Sequence, residues 1–193
     1  MLVYNYDKDF VAVSQKLFFS DEEMMELYPL IEEILNHERW DDMRMYKHHL
    51  DTRAVHSLQV CCIAWRKATK STKYDATSVA IGALLHDFFF YDWQNEKANL
   101  DQHDIKLKVY SPKLHGFIHP LIAFDNANKF FPHLMNKMIE DIIVKHMWPL
   151  TINPPRYSES WLVSLTDKRC SLNVLKAPKE IPMYLGFKSN NRN

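Results

Sequence analysis

Apolar residues recur along this chain at intervals of three and four, interrupted by short polar stretches and prolines, so the pattern predicts helices nearly throughout. Phe10, Val13 and Leu17 mark a short helix over 8–18. Ser20-Asp21-Glu22-Glu23 then reads as a capping box, in which a serine and the glutamate three residues on satisfy each other's backbone N–H groups. It opens a helix to Asn36 with Met24, Leu27, Ile31, Ile34 and Leu35 inward, followed by a charged, aromatic stretch from His37 to Lys47. The pattern predicts a helix over 50–69, with His56, Val60, Ile63 and Ala64 on one stripe and Val55, Leu58, Cys62 and Trp65 on the next. A further helix, capped by Asp75 or Thr77, runs through Val79–Leu85 to His86-Asp87 and the aromatic run Phe88–Trp93.

Residues 94–114 are polar with weak periodicity and read as a loop with room for one short helix. Pro120 suits the first position of a helix carrying Leu121, Ala123, Phe124, Ala127 and Phe130. Pro132 ends that helix and begins another, amphipathic over 133–147 through Met135, Met138, Ile139, Ile142 and His146. Pro149, Pro154 and Pro155 predict a rigid loop, and Val163, Asp167, Cys170 and Val174 form a stripe on a last helix over 157–175. The tail from Lys176 is polar. The expectation is an all-α bundle of six to eight helices forming one domain over 1–193, with N-terminal helices at 8–36.

Composition narrows the function classes. A chain of 193 residues, 47% hydrophobic and 13% aromatic, is long enough to bury a substantial core. Three glycines leave no Gly-rich phosphate loop, and a net charge of zero supplies no global field for a nucleic-acid polymer or an anionic membrane. Three cysteines, two of them adjacent, make no disulfide framework. With no basic, apolar leader at Met1–Asp7 and no apolar run near the ~20 residues that span a bilayer, the expected setting is cytoplasmic.

The candidate chemistry begins at His86-Asp87. Val79, Ala83 and His86 lie at i, i+4 and i+7, while Ala80, Leu84 and Asp87 form the adjoining row, so both polar residues continue a buried face. An ionised carboxylate buried without a partner costs at least several kcal/mol, which calls for a cation beside it. His103-Asp104 repeats the dipeptide in a polar stretch with no apolar face, and is expected to bind nothing. His56, His119, His146 and Asp167 each lie on or near an apolar helical face and each has a structural explanation on its own. Together with His86 and Asp87 they make five helices that each send a polar group inward, which coincidence explains poorly. Imidazoles with carboxylates suit Fe, Zn, Mn or Co. Six ligands exceed what one tetrahedral ion requires, which predicts two ions bridged by a carboxylate. No serine stands on a Gly-x-Ser-x-Gly turn, and no Cys-x-x-Cys is present.

His56-Ser57, His86-Asp87 after an apolar helix, and Asp167-Lys168 resemble the HD-domain superfamily of metal-dependent phosphohydrolases, over about residues 48–175. His119-Pro120 and His146 match the two extra histidines of its dinuclear branch. The resemblance implies a helical HD domain in which one metal is held by His56, His86, Asp87 and Asp167. His119 and His146 would hold the second, with Asp87 bridging. It implies two divalent transition-metal ions, iron first and otherwise manganese, zinc or cobalt, and hydrolysis of a phosphate ester or anhydride of a small molecule or nucleotide. The alternatives are a di-iron oxygenase similar to myo-inositol oxygenase and a non-catalytic metal- or ligand-binding module. Many relatives follow the His-Asp pair with Gly-Lys, whereas this chain has Phe88-Phe89-Phe90-Tyr91. Arg53, Lys145 and Lys168 are the basic residues available in its place for a phosphate, with Arg53 and Lys168 the stronger candidates. The Gly-Tyr-Pro signature of cyclic-di-GMP enzymes is absent.

Overall fold

The computed structural model describes residues 5–48, 51–91 and 115–175, and these form an all-α bundle. The elements are α1 (Lys8–Lys16), α2 (Asp21–Leu35), α3 (Glu38–Met45), α4 (Arg53–Ala68), α5 (Ala76–Leu85), α6 (His115–Phe130), α7 (Lys137–Lys145) and α8 (Ser158–Leu175). A two-residue antiparallel pair, β1 (Lys47–His48) with β2 (Asp51–Thr52), links α3 to α4. No helix among the described residues is long and apolar enough to cross a membrane.

Most helices start where a short polar side chain can occupy the free N–H groups of the first turn. Asp7 accepts from the Asp9 and Phe10 amides before α1, and the Ser20–Glu23 capping box is formed in both directions before α2. Thr52 caps α4, Asp75 caps α5 and Asn136 caps α7. Of the two caps open in the sequence, Asp75 is the one used: its carboxylate accepts from the Ser78 amide at 3.1 Å.

α5 is the centre of the bundle. Ser78 through Leu85 are all buried, as expected of a helix apolar on every side. It packs chiefly on α4 and α7, and α8 packs on both of them and also touches α5. A Cβ at Gly82 would lie 2.8 Å from Ile142 Cγ2, so glycine lets α5 and α7 approach closely. α1 and α3 cover α4, α2 lies on α5, and α6 packs on α7.

Three expectations need correction. The stretch after His37 folds as α3, burying Trp40 and Met43 at i and i+3 beneath charges that obscure the period. α6 begins at His115 and holds Pro120 in its interior rather than at its first position. The missing proline N–H forgoes one helical bond, to Gly116, while Pro120, Ile122 and Ala123 gain burial. The run predicted to be helical from 133 is a 3-10 turn at Pro132–Leu134, and α7 starts only where Asn136 accepts from the Met138 and Ile139 amides. Asp92-Trp93, the 94–114 loop, His103-Asp104 and the tail from Lys176 lie outside the described residues.

Candidate metal centre

Five helices deliver six buried side chains to one place: His56 from α4, His86 and Asp87 from the end of α5, His119 from α6, His146 from the end of α7 and Asp167 from α8. Their donor atoms form three overlapping groups, His56–His86–Asp87, His86–His146–Asp167 and Asp87–His119–His146, each within 4.8 Å. Asp87 lies between the groups. Its Oδ2 is 3.6 Å from His86 Nε2, while Oδ1 is 3.3 Å from His119 Nε2 and 3.6 Å from His146 Nε2. At the other end, Asp167 Oδ1 is 3.0 Å from His56 Nε2 and 3.8 Å from His86 Nε2.

The backbone fixes which nitrogen of three rings faces this centre. His86 and His146 each follow the last residue of a helix, where carbonyls have lost their helical partners. Each donates Nδ1–H to the carbonyl three residues back, Ala83 and Ile143, at 2.7 Å. His119 donates Nδ1–H to the His115 carbonyl at 2.9 Å. A carbonyl can only accept, so Nδ1 of each ring carries a proton, and in the neutral ring the Nε2 lone pair points inward, the arrangement that backbone partners give to metal-bound histidines.

That arrangement is costly without a cation. His119 Nε2 and His146 Nε2 stand 2.9 Å apart, and two lone pairs at that distance repel unless a positive charge lies between them. Burial, and then His119 and His86, push His146 down to about 3, so it does not readily take that charge as a proton. His86 Nε2 is buried with no hydrogen-bond partner among the described residues. Burial disfavours the charged His86 ring, but Asp87 and Asp167 outweigh it and raise the group to about 9. Burial likewise opposes ionisation of Asp167, yet His56 and His86 hold its carboxyl well below the ordinary range. Two buried carboxylates with inward imidazole lone pairs are the donor chemistry of a divalent transition metal, and these groups could hold one.

The two basic candidates lie beside the centre with their charges on the backbone. Arg53 is buried, donates from Nη1 to the Phe89 carbonyl at 2.5 Å and from Nη2 to the Tyr91 carbonyl at 3.2 Å, and stacks 3.6 Å above the Phe89 ring. Tyr46 donates to the Phe90 carbonyl at 2.9 Å and Asn126 Nδ2 to the Phe88 carbonyl at 3.0 Å, so three side chains hold the segment after Asp87. Lys168 donates to the His146 carbonyl at 2.7 Å and to Ser164 Oγ at 2.8 Å. Ser164 donates to the same His146 carbonyl at 2.7 Å, so α8 supplies Asp167 and also anchors the backbone that bears His146. A cation at the C-terminal end of α7 complements its dipole.

Sequence reasoning passed over Ser164 and His115. Ser164 precedes Asp167 by three residues and Lys168 by four, and His115 precedes His119 by four, so each shares a helical face with a candidate ligand. The i−4 spacing of His115 was the available signal. Comparison of the chain with protein-family models, with curated proteins and with solved structures finds no match.

Proposed function

We propose that this chain is a metal-dependent phosphohydrolase of the HD-domain type, with a two-ion centre that cleaves a phosphate ester or anhydride of a small molecule or nucleotide. The observation that carries the reading is the position of Asp87, one carboxylate shared by two of the three-donor groups. His56, His86, Asp87 and Asp167 would hold one ion. His119 and His146 would hold the other, sharing Asp87. Iron is the first candidate, with manganese, zinc and cobalt compatible with the same donors. When bound, such an ion would lower the pKa of a coordinated water towards neutrality and so supply a nucleophile near neutral pH. The chain's own contribution is positional. Backbone carbonyls fix three imidazole tautomers, Asp167 stays ionised in a buried site, and Ser164 with Lys168 holds the end of α7.

A second reading, an iron-dependent oxygenase acting on a small polyol or phosphonate, is favoured by one observation. Arg53 and Lys168 direct their charges to backbone carbonyls, and the segment after Asp87 is aromatic rather than basic. The ligand types do not separate the two chemistries. Elemental analysis of protein purified without chelator should find close to two transition-metal ions per chain. Incubated without oxygen, with added Mn or Co and a panel of phosphorylated metabolites, it should release phosphate or a nucleoside monophosphate. Turnover that requires both iron and dioxygen supports the second reading. A protein that takes up no Fe, Mn, Zn or Co on titration refutes both.

A further inference from the structure

We infer that His115 and Tyr91 are positioning residues for His119, setting the ring plane in which its Nε2 meets the second ion. The inference rests on the reading of His119 as a ligand. His86 and His146 donate to carbonyls at the last turns of their own helices, where those carbonyls lack helical partners. His119 lies inside α6, and its Nδ1–H goes to the His115 carbonyl, which α-helical geometry also assigns to the residue 119 amide. The carbonyl's two lone pairs can serve both, and packing against neighbouring rings adds a second restraint on the ring plane.

The packing is specific. The His115 ring lies on the same face of α6 one turn earlier and stacks on His119 with centroids 4.6 Å apart and planes 22° apart. Phe89 borders both rings, 5.3 Å from His115 and 5.4 Å from His119. Tyr91, packed 4.8 Å from Phe89, has its hydroxyl 3.2 Å from His115 Nδ1. The Tyr91 hydroxyl ties the His115 ring to the segment that follows Asp87. The second-site histidine is thereby linked to the backbone just beyond the bridging carboxylate.

Loss of a ring stacked on a metal-bound histidine, with the carbonyl that accepts its Nδ1–H retained, should weaken metal affinity less than the roughly 10–100-fold that follows loss of a hydrogen-bonded partner. The full chain, stripped with chelator and titrated with Co(II) while the visible spectrum is followed, should show this selectively. In His115→Ala the second ion should bind about 2–10-fold more weakly and the first as tightly as in the parent. Tyr91→Phe, which removes one hydroxyl, should weaken the second ion less, and His115→Phe, which keeps a ring face, should recover part of the loss. Unchanged second-ion affinity in His115→Ala, or equal weakening of both ions, overturns the inference. A parent that binds no metal refutes the proposed function instead. The positioning is then read in metal-free protein, where Tyr91→Phe should broaden or double the His119 Cε1–H resonance and spare that of His56. An unchanged His119 resonance overturns it.

Discussion

Asp87 and His119 both face the candidate centre, yet their removal should have unequal consequences. Asp87 belongs to two of the three donor groups and His119 to one. Its Oδ1 is 3.3 Å from His119 Nε2, and its Oδ2 is 3.6 Å from His86 Nε2 on the other side. Asp87→Ala takes a ligand from both proposed ions and a negative charge that offsets two cations. His119→Ala takes one neutral ligand from one ion. A site that binds only the native state at a metal concentration 100-fold above its dissociation constant adds about 2.7 kcal/mol of stability. For a chain of this length each kcal/mol moves the melting midpoint by about 2–4 °C, so one ion is worth about 5–11 °C and two about twice that. Each protein is melted with excess metal and again with chelator, so that packing changes cancel in the difference. The parent should show the two-ion shift, His119→Ala about half of it, and Asp87→Ala the smallest. Elemental analysis should follow the same order. If Asp87→Ala keeps a metal-induced shift as large as that of His119→Ala, Asp87 is not the shared ligand and the two-ion arrangement fails.

Other tests follow from single contacts. In metal-free protein, His86 is raised from 6.5 to about 9, so its contribution is complete below 6.5 and is lost as pH rises through 9. His146, lowered from 6.5 to about 3, and Asp167, also lowered, oppose stability as pH falls. Melting temperature with chelator should therefore peak near pH 6.5, and a continued rise from 6.5 to 9 would contradict the His86 assignment. Gly82→Ala improves helix propensity by about 0.5–1 kcal/mol but forces a methyl against Ile142, and should destabilise by about 1–3 kcal/mol in denaturant melts. A stabilised variant would mean that α5 and α7 separate freely. Lys168→Met should lower stability by about 1–2 kcal/mol and weaken the ion held by His146 while leaving the His56 site bound, as read by metal titration. A variant that binds both ions as the parent does would remove Lys168 from the positioning set. Replacing His103 and Asp104 by alanine should leave metal content unchanged and stability within about 0.5 kcal/mol.

The all-α character and the starts of α1, α2 and α5 were legible along the chain, because they depend on local physics: apolar residues at three- and four-residue spacing, with Ser20 and Asp75 satisfying nearby amides. Five of the six candidate ligands were also legible there, since a histidine or aspartate continuing an apolar stripe conflicts with the cost of burying it, while His119, read in the turn before Pro120, was singled out by the resemblance. That the six converge is a property of the assembled bundle. Nothing local records that α4 and α8 bring His56 within 3.0 Å of Asp167 across 111 residues, or that Gly82 lets α5 and α7 close until the rings of His86 and His146 lie 4.9 Å apart. The same holds for α3 and for Pro120 inside α6, where burial of Trp40, Met43 and Pro120 outweighs weak local preference. Arg53 and Lys168 show the difference most plainly. A basic residue beside a ligand reads the same in sequence whether its charge faces a substrate or a carbonyl. The direction is set by which acceptors the neighbouring helices leave unsatisfied, here those of Phe89, Tyr91 and His146.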